Sequence, residues 1–386
     1  MKTLVFTGGG TGGHIYPGLA VIDELQKVSD YSVVWLGSST GVDRKIVEDH
    51  GVSFVGVPSG KLRRYLSFQN MLDLFKIAGG FFASVYHLAR IKPAAVFSKG
   101  GFVSVPPCFA ARFLRIPVYS HECDFSPGLA TRLNARIASR IFVSYQETSD
   151  RLMKQVRCPV TVSGNPVRPV FYDADPEAGR EFLGLNGGAA AEIPQNSLPL
   201  LLVLGGSLGA RQINSLIAEN LEWLCRRFIV VHQTGGNNMD QAADVSGLPE
   251  EIRGRYKPYA YLRAEMPHVL AAADIVVSRS GANSLWECGV VGKPMILIPL
   301  SGSGTRGDQV ENAEYFRSKG AASVLCRNRV TGGNEVTGEN LRRELEALLS
   351  NTELRVRMGE AAMKITGGGG SRPAAYIANA LAGGTV

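Results

Sequence analysis

The feature that most constrains the fold of this chain is a repeated order of short apolar strand, glycine-rich turn and helix. In the first half, Leu4–Phe6 leads into glycines and then a helical pattern over Pro17–Leu25. In the second half, Leu200–Leu204 leads into another glycine turn and a helical pattern over Ala210–Leu224. Short apolar strands that alternate with helices are typical of a parallel sheet covered on both faces. The sequence therefore predicts an α/β fold with two Rossmann-like domains.

Further apolar runs continue this order along both halves. We predict the other strands at Tyr31–Leu36, Phe54–Val57, Ala94–Phe97, Ile116–Tyr119, Arg140–Ser144, Val160–Val162, Ile229–His232, Ile275–Ser278 and Met295–Pro299. The domain junction is expected at Gly164-Asn165-Pro166, because Asn-Pro after a strand favours a turn. Ligands of open α/β sheets bind beyond the carboxyl ends of the strands, so the two domains are expected to face one cleft.

Composition narrows the class of protein. The chain has 386 residues, 45% of them hydrophobic, and no apolar run of the roughly 18 residues that a membrane-spanning helix needs. Its start lacks the features of a signal peptide, so we expect a cytoplasmic protein. The six cysteines are scattered without a C-x-x-C pair and are expected to be buried free thiols rather than zinc ligands. The net charge of +7 favours an anionic partner, and nucleic acid ranks last because no nucleic-acid-binding motif is present.

The glycine turn over Gly8–His14 fits G-x-G-x-x-G and comes between a strand and a helix. Glycine amides and a helix N-terminus together favour binding of a phosphate. A dinucleotide site would want an acid at the end of strand two, where the chain reads Gly37-Ser38-Ser39-Thr40, and this counts against NAD. A Walker A loop is excluded because no Lys-Ser or Lys-Thr pair follows. A second turn of the same kind spans Gly100–Ser104.

Two more turns lie in the second half. Gly205–Gly209 fits the G-x-S-x-G nucleophile elbow, but an esterase also needs a late histidine, and His232 ends the very next strand. A phosphate-binding turn is therefore favoured over an esterase. The fourth turn leads from Arg279 through Ser280, which can cap the next helix, to Glu287. Glu287 could accept both hydroxyls of a ribose, or it could be a solvated surface glutamate.

In order, these motifs resemble those of one family. The matching segments are Gly9–His14 with Pro17-Gly18, Gly100–Ser104, His121-Glu122, Gly164–Arg168, Gly205–Ala210, Ser280–Glu287 and Asp308-Gln309 with Asn312-Ala313. The chain resembles the MurG family, which transfers N-acetylglucosamine (GlcNAc) from UDP-GlcNAc to lipid I, undecaprenyl-pyrophosphoryl-N-acetylmuramyl-pentapeptide. The resemblance implies an inverting GT-B glycosyltransferase that makes lipid II for peptidoglycan, and so serves cell-wall biogenesis, cell shape and cell division. It implies neither a cofactor nor a metal.

The same resemblance implies a division of labour between domains. Residues 1–164 would take lipid I and dock on the membrane, 165–365 would bind UDP-GlcNAc, and 366–386 would form a C-terminal helix returning to the first domain. The protein would be peripheral on the cytoplasmic face of the bacterial inner membrane, near other cell-wall synthesis proteins. Lys61–Arg64 and the mixed aromatic and basic residues over Phe68–Arg90 suit an anionic leaflet. Packing of this helix on its own sheet remains an alternative for Phe68, Met71 and Leu72.

The resemblance also assigns the family's functional positions to individual residues of this sequence. The donor set is Thr11, Gly12, Gly13, Asp124, Arg168, Ser207, Leu262, Ala282, Glu287 and Gln309. The acceptor pyrophosphate set is Gly9, Gly10, Gly100, Gly101 and Ser104, with Thr11 at its border. Arg168 and Ser207 would contact the UDP diphosphate, Glu287 the ribose, Leu262 the uracil and Gln309 the donor sugar. Asp124 stands where the family commonly has asparagine, and Asp308 replaces a histidine or glutamine.

Inversion requires one in-line displacement by the C4 hydroxyl of N-acetylmuramic acid, so a general base must accept its proton. We predict His14 as that base, with Glu122 as second candidate, while a role for His14 in ordering the turn remains open. Arg168 and helix N-termini would stabilise the leaving UDP. The Asp173-Ala174-Asp175 segment resembles a metal-binding D-x-D motif but is interpreted as a polar linker.

Other functions stay open at the level of sequence. A related GT-B enzyme, such as a diacylglycerol glycosyltransferase or a UDP-GlcNAc epimerase, would use the same donor turns. A non-catalytic subunit that recruits a partner to the membrane is a third possibility, and an esterase using Ser207 is a fourth.

Overall fold

The computed structural model describes residues 2–60, 68–185, 198–206, 209–236, 242–302, 307–326, 334–367 and 372–383, with backbone only over 68–72. The chain divides into two compact units. The first unit comprises Met1–Pro169 and Ser371–Val386, and the second comprises Val170–Gly370.

The first unit is built on a parallel sheet. Its described strands are β1 (Thr3–Thr7), β2 (Ser32–Ser38), β3 (Ser53–Val57), β4 (Ala95–Ser98), β5 (Val118–Glu122), β6 (Arg140–Val143) and β7 (Val160–Val162). They lie in the order β3-β2-β1-β4-β5-β6-β7. Thr7 pairs with Ser98, and Ser98 with Ser120, so the turns that follow β1, β4 and β5 leave the same edge.

Helices cover the sheet of the first unit. They are α1 (Tyr16–Val28), α2 (Asp43–Asp49), α3 (Phe68–Ile91), α4 (Val105–Phe113), α5 (Leu129–Ala135) and α6 (Gln146–Met153), with short 3-10 turns at Gly12–His14 and Phe102–Ser104. Helix α3 packs on α4. The main core of the unit is apolar and buried, and includes Phe6, Leu19, Trp35 and Phe97.

The second unit repeats the plan. Its described strands are β8 (Leu200–Leu204), β9 (Ile229–Gln233), β10 (Tyr256–Tyr259), β11 (Ile275–Ser278), β12 (Met295–Leu297) and β13 (Ser323–Val324). They are parallel and lie in the order β10-β9-β8-β11-β12-β13. The helices are α7 (Pro176–Phe182), α8 (Arg211–Glu219), α9 (Leu221–Cys225), α10 (Glu250–Arg253), α11 (Met266–Ala272), α12 (Ala282–Val290), α13 (Asp308–Ser318), α14 (Gly338–Ser350) and α15 (Thr352–Thr366).

The last described helix, α16 (Pro373–Leu381), belongs to the first unit. It packs on α1, and its residues Ala374, Ile377, Ala378 and Leu381 are buried in the same apolar cluster as Phe6 and Leu19. The first unit is therefore assembled from two stretches of chain that are far apart in sequence.

Three sequence predictions required correction or addition. Strands β10 and β13 were not predicted. The helix expected over Ala210–Leu224 is two helices, separated at Asn220. The buried Asn220 side chain donates from Nδ2 to the Leu216 carbonyl at 2.7 Å and accepts from Nε of Arg342 at 2.7 Å, so it ends α8 and holds α14 beside it.

All six cysteines are free, and five of them are buried. Within the described residues, no helix combines the length and apolar character needed to cross a bilayer.

Candidate functional site

The first glycine turn joins β1 to α1. Gly10 has φ of +85°, a left-handed conformation that glycine adopts without strain. The turn closes when the N–H of His14 donates to the carbonyl of Thr11 at 3.1 Å. Nε1 of Trp35, on the neighbouring strand β2, donates to the Gly8 carbonyl at 3.1 Å and so stabilises the turn. Thr11 and Gly13 are exposed, so this part of the turn is open to a ligand.

Asp43, at the start of α2, holds this turn and was missed by the sequence analysis. Its carboxylate accepts from the N–H of Gly10 at 3.0 Å and from that of Ser38 at 3.1 Å. The side chain is fully buried, and burial raises its pKa although these hydrogen bonds oppose the rise. A Cβ atom at Gly9 would overlap Oδ2 of Asp43. Asp43 is thus an acid that follows β2, but its carboxylate binds the backbone of the glycine turn.

The second glycine turn, after β4, touches the first. A Cβ atom at Gly101 would lie 2.7 Å from the Gly9 carbonyl and 2.9 Å from Cδ2 of His14. The N–H of Gly100 donates to Oγ of Ser98 at 3.2 Å, and Oγ of Ser104 donates to the Gly101 carbonyl at 2.9 Å. The structure therefore brings the predicted base and both predicted acceptor turns together within the first unit.

Three residues at the end of β5 and just after it are buried: His121, and the site candidates Glu122 and Asp124. Nε2 of His121 lies 2.9 Å from the Gly164 carbonyl, and burial, followed by the charge of Lys99, holds the pKa of His121 well below its usual range. Oε1 of Glu122 accepts from the N–H of Asp124 at 3.0 Å, and Oε2 accepts from that of Gly128 at 3.0 Å. Both carboxylate oxygens of Glu122 thus hold the loop that follows β5, which makes it a poorer base candidate than His14.

Glu122, Cys123 and Asp124 also form the one cluster of potential metal ligands among the described residues, with donor atoms within 4.8 Å of one another. Both oxygens of the Glu122 carboxylate already accept hydrogen bonds from backbone N–H groups. The cluster therefore has fewer free ligand atoms for a metal ion than its three side chains indicate. Asp175 of the D-x-D-like segment caps α7 by accepting from the N–H of Glu177 at 2.9 Å, which is a structural role.

Arg168 lies near the end of Met1–Pro169, the longer of the two segments that form the first unit. It is half-buried, and its guanidinium stands 5.3 Å from the centroid of the Tyr16 ring, at the first residue of α1. This stacking places a fixed positive charge near the N-terminus of the helix that follows the first glycine turn.

In the second unit, the glycine turn after β8, predicted to bind the donor, is described at Gly205, Gly206 and Gly209. Ser207, predicted to contact the diphosphate, lies outside the described residues. The N–H of Leu262, the residue predicted to border uracil, donates to Oε1 of Gln233 at 2.9 Å. Gln233 ends β9, and it was not predicted as a site residue.

The turn after β11 is tied to α13. Oγ of Ser280 donates to the Gln309 carbonyl at 2.7 Å, so Ser280 does not cap α12 as the sequence predicted, and the N-cap is Gly281. Oε1 of Gln309 accepts from the N–H of Leu300 at 2.9 Å. Ala282 begins α12, and Glu287 is half-buried further along the same helix.

Arg279 and His232 are two polar residues whose hydrogen bonds hold elements of the second unit together. Nη1 of Arg279 donates to the carbonyls of Ile298 at 2.8 Å and Pro299 at 3.3 Å, so it joins the ends of β11 and β12. His232 is fully buried between the hydroxyl of Tyr256 at 2.9 Å and Oδ1 of Asn214 at 3.1 Å, and burial lowers its pKa to about 4. A histidine so placed serves the fold, in agreement with the low rank of an esterase.

Two family models match the two units. The model of the glycosyltransferase family 28 N-terminal domain matches residues 4–143, and the model of the family 28 C-terminal domain matches residues 200–367. The chain belongs to glycosyltransferase family 28. The prediction of a glycosyltransferase is thereby confirmed, and the four glycine turns fall within the matched ranges of this family 28 protein.

Curated relatives extend the match over nearly the whole family 28 chain. The UDP-N-acetylglucosamine--N-acetylmuramyl-(pentapeptide) pyrophosphoryl-undecaprenol N-acetylglucosamine transferase of Treponema denticola is 50% identical, covering 99% of this chain and 97% of its own. A transferase of the same name, numbered 2, from Bacillus cereus is 37% identical, covering 92% of this chain and 93% of its own.

Solved structures agree on the fold. The structure of Acinetobacter baumannii MurG has a TM-score of 0.71 at 23% identity, covering 99% of this chain and 100% of that one. UDP-GlcNAc 2-epimerase of Neisseria meningitidis, solved with UDP-GlcNAc, has a TM-score of 0.64 at 16% identity, covering 99% of this chain and 100% of its own. The predicted fold class, two parallel-sheet α/β domains of GT-B type, is confirmed. Because an epimerase shares this fold, the fold alone does not distinguish the two activities.

Proposed function

We propose that this chain is the inverting glycosyltransferase that moves GlcNAc from UDP-GlcNAc to the C4 hydroxyl of N-acetylmuramic acid in lipid I, giving lipid II for peptidoglycan synthesis. The observation that carries the proposal is the 50% identity to a transferase of that name across 99% of the chain. Identity of this extent favours a transferase over an epimerase, because the Neisseria meningitidis epimerase is only 16% identical to this chain.

In the proposed reaction, the first unit receives the lipid-linked acceptor and His14 takes the proton of its C4 hydroxyl. His14 suits this role because its half-buried ring lies against the Gly100–Gly101 backbone, where contact limits the positions that the ring can adopt. The oxygen then attacks the anomeric carbon of the donor as the bond to UDP breaks. Glu122 holds the neighbouring loop in place instead of moving the proton.

The second unit would bind the donor through the turns after β8 and β11. Glu287 would accept hydrogen bonds from the ribose hydroxyls, Gln309 would contact the sugar, and the backbone beside Leu262 would border uracil. Gln233 and Arg279 support these groups through the hydrogen bonds described above. Arg168 would balance the negative charge that develops on the leaving UDP.

The first unit would also dock on the cytoplasmic face of the membrane. Helix α3 exposes large aromatic side chains: Phe75 is 71% exposed and Phe82 is 69% exposed. Exposed Phe113 of α4 contacts the ring of Phe81, which in turn contacts Phe82, and exposed Lys76 and Arg90 are also on α3. Aromatic rings flanked by cations favour the surface of an anionic bilayer, which is where a lipid-linked acceptor is found. Lys61–Arg64 lie outside the described residues.

The decisive experiment is release of UDP from UDP-GlcNAc, measured with and without a lipid I analogue and in the presence of EDTA. We expect acceptor-dependent release that EDTA leaves unchanged, together with a disaccharide product of inverted configuration.

Other outcomes would select another function. Conversion of UDP-GlcNAc without acceptor would indicate an epimerase, and transfer to diacylglycerol would indicate a different acceptor. Labelling of Ser207 by a fluorophosphonate would support an esterase, whereas donor binding without turnover would favour a recruiting subunit.

A further inference from the structure

Lys99 places a buried cation at the carboxyl edge of the first unit's sheet. It follows β4 directly, its N–H donates to the Thr7 carbonyl at 2.8 Å, and the residue is only 1% exposed. A Cβ atom at Gly8 would lie 3.3 Å from Cβ of Lys99, so this side chain leaves the backbone beside the first glycine turn. Within the part of the chain that the structure describes, its Nζ atom has no hydrogen-bond partner.

Within the described residues, no carboxylate is a hydrogen-bond partner of this charge. An isolated charge in a protein interior is strongly disfavoured unless an anion balances it. His121, on the adjacent strand, is held uncharged by its lowered pKa. The Glu122 carboxylate accepts from two backbone N–H groups of its own loop instead. The site thus carries positive charge without a carboxylate partner among these neighbours.

The two glycine turns differ in what they can offer an anion. The N–H of Gly10 donates to the Asp43 carboxylate, which also brings negative charge to the first turn. The N–H of Gly100 donates to Ser98. Two amides that could have bound a phosphate are therefore used inside the protein. Lys99 precedes Gly100 directly in the chain, and its charge acts on His121 of the adjacent strand, so this buried cation lies at the start of the second turn.

We propose that Lys99 supplies the electrostatic attraction that holds the acceptor's diphosphate against the turn over Gly100–Ser104. This inference rests on the proposed function, in which the first unit receives a lipid-linked diphosphate. A charge surrounded by protein is weakly screened, so it acts on an anion at the surface of the turn without touching it. Lys99 is thus a positioning residue for the acceptor.

The test separates the two substrates. In Lys99→Met, the acceptor KM and the inhibition constant of inorganic pyrophosphate against acceptor should both rise about tenfold. The donor KM and the inhibition constant of UDP against donor should stay within about twofold of wild type. Lys99→Arg, which keeps the charge, should restore acceptor KM toward wild type. Lys154→Met, at an exposed lysine of the same unit, is the matched control and should change neither KM.

Stability gives a second readout. Because Lys99→Met removes an isolated buried charge, the variant should unfold at a temperature no lower than wild type. An unchanged acceptor KM, or a rise confined to the donor KM, overturns the inference. So does failure of both Lys99→Met and Lys99→Gln to fold, which would make Lys99 a structural residue. Absence of any turnover in the wild type would instead contradict the proposed function.

Discussion

The candidate site residues lie at the ends of the strands, and the structure separates those that are open to solvent from those whose side chains bind backbone groups. His14, Thr11 and Gly13 are at least partly open to solvent. In contrast, the charged side chains of Asp43, Glu122 and Arg279 form hydrogen bonds with backbone groups. The sequence could nominate the first kind through its motifs. It could not nominate Asp43, because nothing in the spacing of Ser38 and Asp43 indicates that a helix start folds back on the glycine turn.

The role of His14 can be tested by His14→Gln, which keeps a polar side chain but removes the base. We expect turnover to fall about 10²- to 10⁴-fold, with little change in donor KM. UDP release at saturating acceptor measures it. His50→Gln, at a histidine that pairs with Asp23 at 2.7 Å, is the control and should retain turnover. Near wild-type turnover in His14→Gln would show that another group is the base.

The contact between Asp43 and the first turn predicts strong coupling with Gly9. In the wild type, Gly9→Ala should destabilise the first unit by about 1–3 kcal/mol, because the new methyl group would displace the buried carboxylate from its N–H partners. In an Asp43→Ala background the same methyl group should cost much less. Denaturant unfolding of the four proteins measures the coupling. Additive effects would mean that the carboxylate is not what excludes a side chain at Gly9.

His232 predicts a pH dependence of stability in the second unit. Its pKa of about 4 in the fold lies below its ordinary value of 6.5, so the unfolded chain binds the proton more tightly between these values. The stabilising contribution is therefore complete above pH 6.5 and is lost as pH falls toward 4, with a slope of at most about 1.4 kcal/mol per pH unit. His232→Gln should flatten the unfolding free energy across this window. Parallel curves for variant and wild type would refute the assignment.

At the scale of elements, the two strands that the sequence analysis missed, β10 and β13, lack the apolar run of the central strands, although the edge strands β3 and β7 were predicted. Central strands such as β8 are fully buried and read as continuous apolar runs. Strands β10 and β13 are the edges of their sheet, and β10 reads Tyr-Lys-Pro-Tyr, a polar sequence with proline that an edge tolerates. The split of the α8–α9 segment depends on a distant contact, Asn220 with Arg342, which no local pattern reveals.

Helix α3 is the element on which the membrane proposal depends. The double variant Phe75→Ser/Phe82→Ser should weaken binding to vesicles that contain anionic lipid by about tenfold or more, because two exposed rings are removed. Flotation with and without added salt measures binding. Met153→Ser, at an exposed apolar residue of α6, is the control. If neither aromatic loss nor lipid charge matters, α3 is not the docking surface.

The whole molecule is two units of similar plan, but the first is completed only by α16. Truncation that removes residues 372–386 should lower the unfolding midpoint of the first unit by roughly 10 °C, since burial of Ile377 and Leu381 is lost. The second unit should be unaffected. Trp35 reports on the first unit once Trp223 and Trp286 are replaced by Phe in both proteins. Removal of residues 384–386 alone is the control. An unchanged Trp35 transition would show that α16 adds nothing to this core.

The return of the chain to its starting unit has a consequence for biosynthesis. A ribosome extends a chain at about 5–20 residues per second, so the stretch Val170–Gly370 takes roughly 10–40 s to make. Throughout that interval the nascent amino-terminal half has no helix to cover the apolar side of α1. This side of α1 is therefore covered only after the second unit has been made, and until then it is open to chaperones that bind apolar surface.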